Sequence, residues 1–212
     1  LLHLEEVIER VKGVKATSPF IESLGMYRSG QLNPCQLRGV QPRKEAAVSD
    51  IGRYVLRPEE LEAVLERLGI GVPEPREPHA GDAGDAGDAG DAGNVGKAKE
   101  LKPAVALVDE ILKSAGRAPL GPDELERFFD PAFGADLLAK RNPRTLEALE
   151  GATLPAMLVG IHFLLERKVI LGQAVEVGTI RPETQEPVDE RFLVAGAFKT
   201  GDFDFDSRAI FV

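Results

Sequence analysis

The sequence predicts an α+β fold: a mixed sheet assembled from two stretches of chain, with a helical region inserted between them. Three observations predict it. Residues 14–40 and 174–212 carry short apolar or alternating runs broken by Gly and Pro, the pattern of strands and turns. Residues 57–153 instead place apolar residues three and four apart and carry no strand pattern. The chain has 212 residues, 43% of them hydrophobic, which suffices for one or two compact domains with a substantial core. The expected boundaries are 1–56 for the first half of the core, 57–153 for the insertion and 154–212 for the second half.

In the first half, Leu4, Val7, Ile8 and Val11 fall at helical spacing with charged residues between them. This is one apolar stripe on a short helix, which Gly13 is placed to stop. Residues 14–21 read as a strand interrupted by Pro19, and hence as an edge or a strand end. Residues 24–28 and 36–40 read as two further strands, separated by the turn-rich Ser29-Gly30-Gln31-Leu32-Asn33-Pro34.

In the insertion, Pro58 opens a helix with Leu61, Val64, Leu65 and Leu68 on one face, ended by Gly69 and Gly71. A Pro-rich stretch and a Gly-Asp-Ala repeat follow, and residues 79–97 or thereabouts read as a disordered linker. The repeat has collagen's glycine period but no proline within its triplets. Its acids, Asp82, Asp85, Asp88 and Asp91, lack the defined turn a Ca²⁺ site needs. Leu101, Val105, Val108 and Leu112 mark a helix of about four turns. Further helices are expected from Pro122 and over residues 144–149.

In the second half, residues 155–167 are apolar on most faces, as in a buried helix or a strand that leads into one. Strands are expected at residues 174–179, 191–198 and 207–212, with Gly178 and Gly196 marking bulges or close backbone contacts.

Composition narrows the function. With 26 Lys and Arg against 35 Asp and Glu, the net charge is −9, which argues against nucleic acid as a partner. The single cysteine, Cys35, allows no intrachain disulfide and reads as a loop thiol beside Pro34. No run of 18 apolar residues is present to span a bilayer. The chain begins Leu1-Leu2-His3 and ends in the apolar Ala209-Ile210-Phe211-Val212, and so reads as a piece of a longer protein.

Catalytic motifs are absent: there is no GxGxxG, no P-loop and no GxSxG. His3, His79 and His162 have no metal-ligand spacing, and His162 reads as a satisfied core residue. The most metal-like run is Asp202-Phe203-Asp204-Phe205-Asp206, which matches the opening of an EF-hand loop. The match fails at its sixth position, where Ser207 replaces Gly, and period-2 alternation with Phe203 and Phe205 on one sheet face is the simpler expectation. A metal-binding module on Asp202, Asp204 and Asp206 stands as the alternative from a different functional class.

The second half also carries a longer pattern. Leu154-Pro155-Ala156-Met157-Leu158-Val159-Gly160 precedes Val169-Ile170-Leu171-Gly172-Gln173-Ala174-Val175-Glu176-Val177. Then come Phe192-Leu193-Val194-Ala195-Gly196-Ala197-Phe198-Lys199-Thr200-Gly201 and Phe203-Asp204-Phe205-Asp206-Ser207-Arg208-Ala209-Ile210-Phe211-Val212. This order resembles the periplasmic core domain of FtsX-like, MacB-like ABC transporter permeases, closest to the lipoprotein-releasing (LolC/LolE-type) permeases. In that family a "v-G-D-x-V" turn and strand is followed by a "f-x-V-x-G-x-f-x-T-G-x-x-x-x-D-S" hairpin. In the first half, Val11-Lys12-Gly13-Val14 through Pro19 is similar to the segment after the family's first transmembrane helix. Leu37-Arg38-Gly39-Val40-Gln41-Pro42 is similar to its "v-x-G-v-d-P" strand end. Together the matches cover about half the chain. Gln173 stands where the family usually has Asp, and residues 57–153 exceed the family's usual connection.

The resemblance implies a porter/sabre-type domain on the periplasmic side of the inner membrane, between two transmembrane helices, with more periplasmic chain after the D-S strand. It implies partners: a cytoplasmic ATPase subunit, a second permease subunit and a periplasmic lipoprotein carrier. It implies conformational work in lipoprotein release, with no bond chemistry, catalytic residue or cofactor in this domain. Exporter-type and cell-division-type permeases share the architecture and are the alternatives within the superfamily.

Overall fold

The computed structural model describes residues 2–29, 31–70, 94–141, 154–180, 184 and 186–212. The chain is mixed α/β. Helix α1 (Leu2–Glu9) is followed by the hairpin β1 (Phe20–Ser29) and β2 (Gln31–Val40), then α2 (Pro42–Val48) and α3 (Ile51–Tyr54). The helices α4 (Pro58–Arg67), α5 (Asn94–Ala115), α6 (Pro122–Phe128) and α7 (Pro131–Arg141) follow. The last part runs β3 (Ala156–Gly160), α8 (Ile161–Arg167), β4 (Ala174–Ile180), β5 (Pro187–Phe198), α9 (Phe203–Arg208) and β6 (Ala209–Phe211).

The six strands close into a barrel in the order β1-β2-β6-β3-β5-β4, with β4 returning to β1. Chain neighbours pair antiparallel in β1–β2 and β4–β5. Two parallel pairs, β2–β6 and β3–β5, join segments distant in sequence. Gln36 to Arg38 pair with Ala209 to Phe211, so the first half of the sequence is stitched directly to its last strand. A register shift between Met157 and Leu158 skips Ala195, so that Met157 faces Val194 and Leu158 faces Gly196.

Several local expectations are corrected. Residues 14–19 form no strand, and the chain enters the sheet at Phe20. Ser29 already pairs with Gln31, and the supposed turn residues Leu32, Asn33 and Pro34 lie in β2, with Pro34 opposite Met26. Pro34 is tolerated because the pairing of β2 with β6 begins only at Gln36. Residues 94–97, expected in the linker, begin α5. The expected helix at 144–149 and the Gly-Asp-Ala run lie outside the described residues.

Burial on two faces explains the continuous apolar runs. In β3, Met157 and Val159 join one buried cluster and Leu158 another. In β6, Ile210 joins the first, and Ala209 and Phe211 join the second. Strands covered on both sides carry apolar residues at every position instead of alternating. The helical insertion supplies much of that cover. Leu61, Val64 and Leu65 of α4 and Ala104 and Val108 of α5 belong to the same cluster as Tyr27, Val194 and Ile210. Leu125 and Phe128 of α6 pack with Leu158, Phe198 and Phe211. The insertion therefore shares the core of the barrel. Arg117 fastens it further: it pairs with Glu60 at 2.7 Å and donates to the carbonyls of Gly52 and Val55.

At the β3–α8 junction, a Cβ on Gly160 would stand 2.0 Å from the backbone oxygen of Asp206. Neither backbone can give way readily, because Gly160 ends strand β3 and Asp206 lies in helix α9 with its carboxylate tied to Thr200 and Gly201. Gly160→Ala is expected to destabilise the fold by more than about 3 kcal/mol in a denaturant titration, at the top of the overpacking range. Gly121→Ala, at a φ of −74° and with no atom within 4 Å of the added Cβ, should lose about 1 kcal/mol or less.

Candidate functional site

The Asp202 to Asp206 run is helical. Its first acid caps α9: Asp202 Oδ1 accepts from the amides of Asp204 at 3.0 Å and Phe205 at 3.2 Å. Capping of this kind commits the next residues to a helical turn and overrides the strand preference of phenylalanine. The expectation that Phe203 and Phe205 share a sheet face is thus overturned. Two positions apart on a helix, they part company: Phe203 is exposed and meets the His162 ring, while Phe205 packs near Phe198 and Phe211.

The three acids also diverge. Asp204 lies at the surface, 3.8 Å from Arg208. Asp206 is 0% exposed and turns inward. Its carboxylate accepts from the Thr200 amide at 3.0 Å, the Thr200 hydroxyl at 2.7 Å and the Gly201 amide at 3.1 Å. Gly201 has φ +93°, a left-handed conformation that glycine reaches without strain. Thr200-Gly201 and Asp206, separated in sequence, are therefore two sides of one hydrogen-bonded knot. Among the described residues, no three of His, Cys, Asp and Glu are grouped to hold a metal ion.

Other singled-out residues occupy structural positions. Cys35 is no loop thiol: it lies in β2 and is 2% exposed. Burial pushes its thiol up to about 11. His162 opens α8 with its Nδ1 buried and no hydrogen-bond partner among the described residues, so it is not the satisfied core histidine expected. Desolvation lowers its pKa, against the opposing pull of Asp206 and Glu166, which favours the neutral ring. Gln173 does the work of a turn acid, its Oε1 accepting from the Ile170 amide at 3.2 Å. His79, Asp82, Asp85, Asp88 and Asp91 lie outside the described residues.

The surface offers binding features. Leu24, Met26, Leu32 and Ile180 share the outer face of the β1–β2 hairpin and its neighbour β4, and Leu24 is 82% exposed. They border a cleft of about 540 Å³, and the 2.8 Å Arg28–Glu176 ion pair lies at its edge. A second groove of about 650 Å³ runs between α1 and the barrel, lined by Leu4, Ile8, Phe20, Ile21, Val40 and Val212. Contiguous apolar surface of this kind serves association with another apolar body. Sequence reasoning missed both features. Their residues carry the same apolar pattern as covered strands, and only the three-dimensional packing reveals which faces stay open. No described helix is long and apolar enough to cross a membrane.

Among known proteins, no family model matches the chain and no curated protein matches its sequence.

Two outcomes follow from the buried groups. Asp206→Asn leaves a carboxamide facing three donors and should destabilise the protein by about 3 kcal/mol, whereas Thr200→Val removes one hydroxyl and should cost about 1 kcal/mol. Equal losses in calorimetry would contradict the knot. Native Cys35 should alkylate at pH 8 at least about 100-fold more slowly than in unfolded chain, because raising the pKa from 9.0 to about 11 leaves that much less thiolate. The folded state holds the proton more tightly, so the contribution of Cys35 to stability is complete below pH 9 and declines toward pH 11. The stability gap between wild type and Cys35→Ala should narrow across that interval.

Proposed function

We propose that this chain is an extracytoplasmic domain of an ABC transporter permease of the FtsX-like, MacB-like kind, of the lipoprotein-releasing type. One observation carries the reading. The segments that resemble the family lie far apart in the sequence, yet they become adjacent strands of a single barrel. Leu37 and Arg38 pair with Ile210 and Phe211, and Val159 pairs with Ile210 on the other side. Thr200, Gly201 and Asp206 of the "T-G-x-x-x-x-D-S" likeness are the residues that form the hydrogen-bonded knot. Their convergence in one sheet supports reading them as parts of a single pattern.

On this reading the domain stands at the periplasmic side of the inner membrane and performs no bond chemistry. A cytoplasmic ATPase subunit supplies the energy, and a second permease subunit and a periplasmic lipoprotein carrier are the other partners. The barrel passes motion on as a packed body, because close-packed interiors move between discrete arrangements more readily than they deform.

The test is to purify the complete gene product containing this chain. It should fractionate with membranes, co-purify with an ABC ATPase, and release a lipoprotein from proteoliposomes to a carrier in an ATP-dependent way. A product without membrane helices and without an ATPase partner would overturn the proposal. ATP hydrolysis stimulated by small amphiphiles but not by lipoprotein would point to the exporter type.

A further inference from the structure

Among the described elements, helix α1 contributes no residue to the buried clusters of the core. Its apolar residues Leu4, Val7 and Ile8 remain between 40% and 58% exposed, and Val11 just beyond it is equally open, so these side chains form no buried interface with the barrel. It packs only sparsely against any other element. What holds it is polar. Glu5 is largely covered and pairs with Lys44 of α2. The Thr17 hydroxyl bonds Glu9 at 2.7 Å and lies 3.4 Å from Glu5. The next residue is tied down separately: the Ser18 hydroxyl donates to Glu45 at 2.8 Å, and Glu45 is itself only 4% exposed and faces Arg38. The chain beyond Ser18 is thus anchored to α2 and β2, while α1 is attached through Lys44 and Thr17.

Between the two attachments lies Gly13, at φ +100° with no atom within 4 Å of where a Cβ would stand. A residue in open space with glycine's backbone freedom can absorb a swing without a clash. The groove of about 650 Å³ lies on the barrel side of α1, with Leu4 and Ile8 on one wall and Phe20, Ile21, Val40 and Val212 on the other.

We propose that α1 is a detachable strap: a polar latch centred on Lys44 holds it against the barrel, and releasing the latch swings it about Gly13 and opens the apolar groove while the barrel stays folded. Local opening of this sort draws on regions with few buried apolar contacts. The latch rests on geometry alone and stands whether or not the permease proposal does. If that proposal holds, α1 adjoins the segment through which membrane motion would enter.

Hydrogen exchange on the intact chain tests this. Amides of residues 5–9 should exchange at least about 100-fold faster than those of Val159, Val194 and Ile210, as expected for sub-global opening. Lys44→Met should speed the α1 amides by a further factor of about 5, the scale of one partly exposed ion pair. It should leave the strand amides unchanged. The charge-swapped pair Glu5→Lys with Lys44→Glu should restore the wild-type rates. Raising the salt from 0.05 M to 1 M in the unmodified protein should accelerate the same amides, because the Debye length shrinks to about 3 Å. Protection of α1 equal to that of the strands would overturn the strap. So would an Lys44→Met effect spread evenly over the whole chain, or none at all.

Discussion

Asp206 is the constraint around which the rest of the second half is arranged. A carboxylate with no solvent exposure survives in a protein interior only when donors replace its lost hydration. Here the donors come from the turn at Thr200-Gly201, five to six residues earlier in the chain. Satisfying Asp206 therefore fixes the end of β5, the path of α9 and the start of β6 together. The backbone of Asp206 is also pressed against Gly160, so the same residue sets how closely β3 approaches α9. One buried charge thereby positions three of the six strands.

That positioning makes closure of the barrel achievable. β6 is only three residues long, yet it has β2 on one side and β3 on the other. A strand so short has little stability of its own and depends on being delivered in register. The knot at Asp206 delivers it from one end, and the amide and carbonyl of Val212, bonded to Arg38 and Val40, hold the other. The helical insertion then covers the faces that closure leaves apolar. It could not be trimmed without uncovering Val194 and Phe198, whose neighbours include residues of α4, α5 and α6.

The parts of this fold legible in the sequence are those governed by local signals. Proline at the first turn marks the helices at Pro58 and Pro122, and alternating or apolar runs mark strands at 174–179 and 191–198, which the structure extends to 174–180 and 187–198. The apolar stretch at 155–167 left two readings open, a buried helix or a strand leading into one, and the structure has the second. What misled were positions where two local rules compete. In residues 202–206 the alternation of Phe with Asp imitates a strand, and the capping carboxylate of Asp202 decides for helix. At residues 31–34 turn-forming residues imitate a loop, but the pairing with β1 decides for strand. Barrel closure, the burial of Cys35 and the openness of the Leu24 face depend on contacts between distant residues, which no window of sequence contains.

Rigidity is unevenly distributed in this molecule, and its distribution bears on what the domain can do. Near Asp206, donors are matched to the acceptor and glycines are placed where no other residue fits, so the barrel resists deformation. Around α1 and the outer face of the hairpin the opposite holds: apolar side chains are exposed, grooves are unfilled and the attachments are polar. A body stiff at its centre and loosely furnished at its margins transmits displacement well, because force applied at one margin is not dissipated by internal yielding. It also binds adaptably, because exposed apolar surface can be covered by a partner without rearranging the core. The proposed passing on of motion would call on both properties, and the exposed apolar surface for a partner lies at the domain's edges.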